Sequence, residues 1–374
     1  MNAASAPASS RPPACVLIVK LSSLGDVVHS MPVVHDIRSA YPQAAIDWVV
    51  EPGFAPLLRR MHGLTDVIEC PLRQWSRAWW MRTTRTQLRA FRTRLRQQRY
   101  DAILDLQGLT KSAIVTRLAR GTSYGLANRT EGASHEWPAR WLVDHAIRIE
   151  PRIHALDRAR ELAARALGYR VGGAPVFGLE LDASDALFEG QGLETRASCE
   201  PSDTHGIALD ARGIHAAARS DVHSGAPTLL LVHGSSRDDK LWPEADWVAF
   251  GRRALADGWN VALPQAGADE HARVQRLAVA LGARATVWPE LDLGAVIDRM
   301  RGVQGVVGVD SGLSHIAVAL GLPHVQLYNH PTAWRTGPLE AHGHRHQVSI
   351  EGSPGPAFDA VWNAWQQVRP ERPT

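Results

Sequence analysis

Apolar residues fall along this chain in short runs that alternate with stretches of helical spacing. Residues 15–21, 46–51, 67–70, 101–106 and 147–150 read as buried strands, being short and bounded by turn-forming residues. Helical periodicity between them predicts helices over 27–39, 78–97, 111–119 and 156–167, with Pro32 placed to kink the first. The second half repeats the design. Strands are predicted at 228–232, 261–264, 286–288, 305–309 and 325–328, and helices at 244–256, 270–281, 293–300 and 313–320. A last helix over 357–368 carries Phe358, Val361, Trp362 and Trp365 on one face. Strands alternating with helices imply parallel sheets covered on both faces. The chain therefore reads as α/β, with two doubly wound, Rossmann-like domains facing across a cleft at their strand ends.

The alternation stops at 182–227, a stretch rich in Gly, Ser, Asp, Ala and His, which reads as a linker carrying an insertion. Residues 1–13, mostly Ala, Ser and Pro, read as a disordered tail without the apolar core of a signal peptide. This divides the chain into a first domain at 14–181, a second at 228–355, and the final helix at 356–374.

The 374 residues suffice for two domains, and 45% hydrophobic with 21% charged content is that of a soluble globular protein. No apolar run reaches membrane-spanning length. Cys15, Cys70 and Cys199 are odd in number and widely spaced, which argues against a disulfide framework or a Cys-based metal site and points to the cytoplasm. A net charge of +3 says little, but its distribution says more. Residues 73–99 hold nine Arg and no acidic residue, with Trp75, Trp79 and Trp80 at their start. Such a stretch is either a solvated basic face or a surface attracted to an anionic membrane. A nucleic-acid-binding module is a rival reading.

Three strand–turn–helix segments carry the candidate chemistry. After the first strand come Ser22, Ser23, Leu24, Gly25 and Asp26. After residues 228–232 come Gly234, Ser235, Ser236 and, further on, Lys240. After residues 305–309 come Asp310, Ser311 and Gly312, opening a helix through Leu313 and His315. Free N–H groups and a positive helix end at a sheet edge suit a phosphate, and Lys240 with two hydroxyls suits a diphosphate. Asp26 is either an N-cap or a general base, and His315 either a helix-face histidine or a ligand contact. The first turn lacks the G-x-G-x-x-G pattern of nicotinamide dehydrogenases. His342, His344 and His346 alternate, but with no carboxylate or Cys at a ligand spacing they are not read as a metal site.

Together the segments 20–29 (KLSSLGDVVH), 233–244 (HGSSRDDKLWPE) and 310–315 (DSGLSH) resemble the bacterial lipopolysaccharide heptosyltransferases, in order and over most of the chain. The wording of the first two favours the enzymes that act first on the inner core over those that act second. The resemblance implies the GT-B architecture, with the final helix crossing back to the first domain. It also implies an inverting transfer of L-glycero-D-manno-heptose from ADP-heptose to the inner Kdo of Kdo2-lipid A, at the cytoplasmic face of the inner membrane. Asp26 is then the base, and Lys240, Ser235 and Ser236 hold the diphosphate. Asp310, Ser311, Gly312, Leu313 and His315 contact the nucleotide sugar. Glu270, with Asp269 as its rival, binds the ribose, and Leu291 either lines the adenine pocket or is ordinary core. Ser22, Ser23, Gly25, Arg59, Arg60, Lys111 and Arg120 are candidate acceptor contacts. No cofactor is required, and Asp238 with Asp239 offers at most a weak contact to a diphosphate-bound Mg2+. The expected partners are ADP-heptose, Kdo2-lipid A and an anionic membrane surface, with no nucleic acid.

Overall fold

The computed structural model describes residues 11–179 and 225–371. The expected insertion lies almost wholly outside the described residues, as do Cys199 and most of the expected tail. The first sheet contains β1 (Cys15–Val19), β2 (Ala45–Val50), β3 (Asp66–Glu69), β4 (Tyr100–Asp105), β5 (Gly121–Leu126) and β6 (His145–Ile147). Its strands are parallel, in the order β3-β2-β1-β4-β5-β6. The second sheet contains β7 (Thr228–Val232), β8 (Asn260–Leu263), β9 (Ala285–Val287), β10 (Gly305–Val309), β11 (His324–Tyr328) and β12 (Gln347–Glu351). It too is parallel, in the order β12-β11-β10-β7-β8-β9.

The helices of the first domain are α1 (Leu24–Ser30), α2 (Pro32–Ala40), α3 (Ala55–Leu58), α4 (Leu72–Arg77), α5 (Arg82–Leu95), α6 (Thr110–Leu118) and α7 (Ala155–Leu167). Those of the second are α8 (Glu244–Ala256), α9 (Gly267–Leu281), α10 (Leu293–Met300), α11 (Gly312–Ala319), α12 (Ala333–Thr336) and α13 (Phe358–Val368). The pleat of β1 sorts its side chains. Leu17 and Val19 meet Trp75, Phe91, Leu95 and Val115 from α4, α5 and α6. Val16 and Ile18 point the other way, into a cluster with Val27, Val34, Ile37 and Leu162. Burying each such side chain contributes roughly 1.5–3 kcal/mol. The second cluster does not stop at the domain boundary. It continues into Ile297 and Met300 of α10 and Ile316 to Ala319 of α11, so the two domains share one apolar seam.

Four expectations are corrected. The helix expected at 27–39 is two helices, because Pro32 starts α2 at its first turn, where a missing N–H costs nothing. The long Arg-rich helix is shorter than 78–97 and is preceded by the separate α4. Strands β5 and β12 were not expected: the first, GTSYGL, lacks a β-branched run and takes its order from pairing with β4 and β6. The final helix α13 does not cross back. Val361, Trp362 and Trp365 are buried in the second domain's own core, and a methyl group at Gly305 would sit 2.2 Å from Trp365.

Candidate active site

The first wall of the site is the turn between β1 and α1. Gln107, just past β4, fastens that turn: its Oε1 accepts from the N–H groups of Leu21 (2.9 Å) and Ser22 (3.2 Å), and its Nε2 donates to the Ser22 carbonyl (2.6 Å). This aims the first turn of α1 at the cleft. Asp26 Oδ2 accepts from the Ser23 hydroxyl at 2.8 Å and the Ser23 N–H at 3.3 Å. Its Oδ1 faces two cations, Lys20 Nζ at 3.7 Å and an Arg158 nitrogen at 3.9 Å. Burial alone pushes this carboxyl up, but Lys20, the Ser23 hydroxyl and Arg158 together hold it well below the usual carboxylate range. Asp26 is therefore an anion at neutral pH. It is surrounded by protein yet reachable from the cavity, with 39% of its side chain open. Lys20 is buried, which lowers its pKa, and donates to the Leu106 carbonyl at 3.2 Å.

The second wall comes from the turns after β7 and β10. Lys240 Nζ donates to Asp310 Oδ2 at 2.6 Å, and His315 Nε2 lies 3.3 Å from Asp310 Oδ1. Burial works against the Asp310 charge, but His315 and Lys240 outweigh it and hold the carboxyl well below its ordinary range. Ser235 Oγ donates to the Asp310 carbonyl at 3.3 Å, so this turn and the 233–240 loop are joined. Ser311 sits at the N-cap of α11, and among the described residues its buried Oγ has no hydrogen-bond partner. An unpartnered hydroxyl at a helix N-terminus is suited to an anion. Glu270 lies against Gly234, where a methyl group would meet its Oε1 at 2.1 Å, and its Oε2 accepts from the Ala266 N–H at 2.8 Å. Burial raises the pKa of this carboxyl.

The walls meet where α1 and α11 abut. The ring of His29 lies 4.4 Å from that of His315, and His29 Nε2 is 3.2 Å from the carbonyl of Thr336 in the second domain. Behind this contact, His154 Nε2 is 3.0 Å from the Gly337 carbonyl. His342 Nε2 lies 3.0 Å from Asp157 Oδ2, so a carboxylate of the first domain meets a histidine of the second. His154, Asp157 and His342 place three ligand-type atoms close together. Both nitrogens of His154 are already engaged, however: Nδ1 accepts from the Leu156 N–H at 3.2 Å, which leaves Nε2 to donate to Gly337. In front of the contact, a cavity of about 360 Å³ opens between the domains, with Asp26 on one side and Lys240, Asp310 and His315 on the other.

The structure thus gathers Ser22, Ser23, Gly25, Asp26, Lys240, Asp310 and His315 around one cavity. Ser235, Ser311, Gly312 and Leu313 belong to the same two turns, and Glu270, in the first turn of α9 after β8, packs against the first of them at Gly234. Ser236 is exposed, and Leu291 is half-buried between β9 and α10. Two acceptor candidates are engaged in ion pairs: Arg59 binds Glu69, and Arg60 makes a two-pronged contact with Asp298 of α10 at 2.8 and 2.6 Å. Arg120 is corrected by topology, because it precedes β5 and so lies at the sheet edge opposite the cavity. Lys111 is exposed at the start of α6, on the cavity's edge of the sheet. Asp239 is paired with Arg237 instead of facing the cavity. Sequence reading missed His29, Gln107, Arg158 and Arg335, which all line it. For Arg158 there was a signal, since it is one of two arginines, with Arg160, among the buried residues of α7.

Two facing parallel-sheet domains, with an ionised carboxylate on one wall and a lysine-bearing anion turn on the other, form the site of a two-domain glycosyltransferase. Residues 88–359 match the model of glycosyltransferase family 9 (heptosyltransferase). The chain is 33% identical over 322 residues to lipopolysaccharide heptosyltransferase 1 of Pseudomonas aeruginosa, covering 86% of this chain and 80% of that one. It is 33% identical over 314 residues to lipopolysaccharide heptosyltransferase 1 of Escherichia coli K12, covering 84% and 87%. The structure of E. coli heptosyltransferase WaaC with ADP superimposes with a TM-score of 0.76 at 28% identity, covering 95% of this chain and 99% of that one. The chain belongs to glycosyltransferase family 9, the heptosyltransferases.

Proposed function

We propose that this enzyme transfers L-glycero-D-manno-heptose from ADP-heptose to the inner Kdo of Kdo2-lipid A, with inversion at the anomeric carbon. The acceptor hydroxyl oxygen attacks that carbon as its bond to the diphosphate breaks, in a transition state with oxocarbenium character. The hydroxyl proton passes to Asp26 Oδ1, and ADP leaves. One observation carries this reading: Asp26 of the first domain and the Lys240–Asp310–His315 group of the second line the same cavity. Lys240 has three donors, so it can keep Asp310 while offering the others to the diphosphate. Asp310 is then an acceptor for sugar hydroxyls, the Ser311 hydroxyl and the start of α11 take phosphate oxygens, and Glu270 takes the ribose. The cations that keep Asp26 charged, Lys20 and Arg158, also suit the carboxylates of a Kdo acceptor. A solved WaaC structure carries an ADP-2-deoxy-2-fluoro heptose, which supports the donor.

Identity favours action on the first acceptor, since lipopolysaccharide heptosyltransferase 2 of E. coli K12 is 25% identical, against 33% for heptosyltransferase 1 of the same strain. Among the described residues no helix is long and apolar enough to cross a membrane. We assign the enzyme to the cytoplasmic face of the inner membrane, held peripherally at an anionic surface. Mg2+ is at most a stimulant that rides on the diphosphate. The deciding experiment offers the enzyme and ADP-heptose either Kdo2-lipid A or an already heptosylated core. Heptose should pass to the first and not the second; the reverse preference refutes the assignment.

A further inference from the structure

We infer that the outer face of the first domain, built by α4, α5 and α6, seats on an anionic lipid bilayer through two pairs of tryptophans. The inference rests on the proposed lipid-borne acceptor for its choice of partner. It deepens that reading by naming the surface.

Trp79 and Trp80 follow α4 and are 64% and 60% exposed. Trp137 and Trp141, in the 3-10 turn packed on α6, are 61% and 63% exposed. Four indoles left in water are costly, since each is mostly apolar surface. In both pairs the rings meet edge to face, at 6.2 and 5.2 Å, and the Arg140 guanidinium lies 4.6 Å from the Trp137 ring centre. An apolar ring with one N–H and a neighbouring cation is the side-chain chemistry of a membrane–water interface.

Both pairs share one side of the molecule. α4, α5 and α6 pack on the same face of the first sheet, while the second domain meets the opposite face through α1, α3 and α7. The face between the pairs is basic. All nine Arg of residues 73–99 are exposed, and among the described residues Arg94 is the one paired with a carboxylate, Asp66. An anionic leaflet is the complementary surface. A nucleic acid would also answer the charge. However, Met81 and Ile114, 49% and 52% exposed beside the two pairs, offer no flat ring for a base to stack on, whereas acyl chains accept them. The position fits as well. The turn of Trp137 follows directly on residues 131–134, which line the mouth of the cavity, so a bilayer there brings a lipid-anchored sugar to Asp26.

The test is flotation of the full chain with vesicles of phosphatidylglycerol and phosphatidylethanolamine, and with phosphatidylcholine vesicles. The variants are Trp79→Ala/Trp80→Ala and Trp137→Ala/Trp141→Ala. Their side chains are exposed, and ADP binding checks that each variant is folded. The wild type should float with the anionic vesicles, less so as salt rises, and not with phosphatidylcholine. Each variant should bind about tenfold more weakly, while transfer to detergent-dispersed acceptor is unchanged. Equal flotation of variants and wild type, equal binding to neutral vesicles, or displacement from anionic vesicles by single-stranded RNA would each overturn the inference. A wild type that floats but transfers nothing to Kdo2-lipid A refutes the proposed acceptor, not this surface.

Discussion

Gly25 of α1 lies directly against His315 of α11: a methyl group at Gly25 would stand 2.6 Å from His315 Cδ2. The contact is reciprocal, because a methyl group at Gly312 of α11 would stand 2.5 Å from Leu24 Cδ2 of α1. Two helix starts from different domains close on each other because each has a glycine where the other has a side chain. Their relief differs. His315 is hemmed in by Asp310, Gln326 and the His29 ring, whereas Leu24 is only half-buried and can change rotamer. Gly25→Ala should therefore cost more stability than Gly312→Ala, with the first in the range of about 1–3 kcal/mol typical of overpacking. Urea denaturation of both variants gives the ranking.

Asp26→Asn keeps the shape of the first turn and removes the proposed proton acceptor. Turnover should fall by roughly 10²–10⁴-fold, while ADP binding changes little. Because Lys20, Ser23 and Arg158 hold this carboxyl below the ordinary range against burial, its protonation should not set the acid limb of the rate profile anywhere above pH 4. Single-turnover rates from pH 4 upward, beside donor titrations, test both statements.

Lys240→Ala removes the cation nearest the proposed diphosphate and leaves the buried Asp310 with His315 alone. ADP affinity should drop about 10–100-fold, the worth of one charge-assisted hydrogen bond. Lys240→Arg should restore part of it. Calorimetric titration with ADP reads the effect directly.

Asp105 supplies a pH test of the scaffold beneath the site. It is buried and accepts from the N–H groups of Gln107 (2.9 Å) and Gly108 (3.2 Å) and from Ser112 Oγ (3.0 Å). Burial outweighs these bonds and pushes its carboxyl up to about 6. The folded state therefore holds this proton more tightly than the unfolded chain does. Its contribution is fully present below the unfolded value near ~4 and is lost as pH rises through about 6. Relative to wild type, Asp105→Asn should gain about 2 kcal/mol of stability between pH 4 and pH 8. Paired denaturation curves at those two pH values measure it.

Arg60, just past α3, and Asp298 of α10 are joined across the domain boundary at 2.8 and 2.6 Å. Both are partly exposed, so the pair should couple by no more than about 1 kcal/mol in a double-mutant cycle. Its loss should shift scattering profiles toward a more open domain arrangement without changing either domain's fold.

The strand–helix alternation and the three turns were legible in the chain because each depends on residues close in sequence. Apolar runs set β1, β4, β7 and β10, and the glycine–hydroxyl turns after them set where α1 and α11 begin. Short polar strands such as β5 were not legible, since their order comes from neighbours on both sides. The same limit applied to charge. Arg60 and Arg120 were both candidate acceptor contacts in the chain; only the fold gives one a carboxylate partner and puts the other at the far sheet edge. Whether Asp26 is a cap or a base was open from sequence, because both roles need an acid at that turn. Only the tertiary structure set Lys20 and Arg158 beside it and brought Lys240 and Asp310 to the opposite wall. Local backbone chemistry can build a turn, but electrostatic contact across more than a hundred residues exists only once two domains share a core.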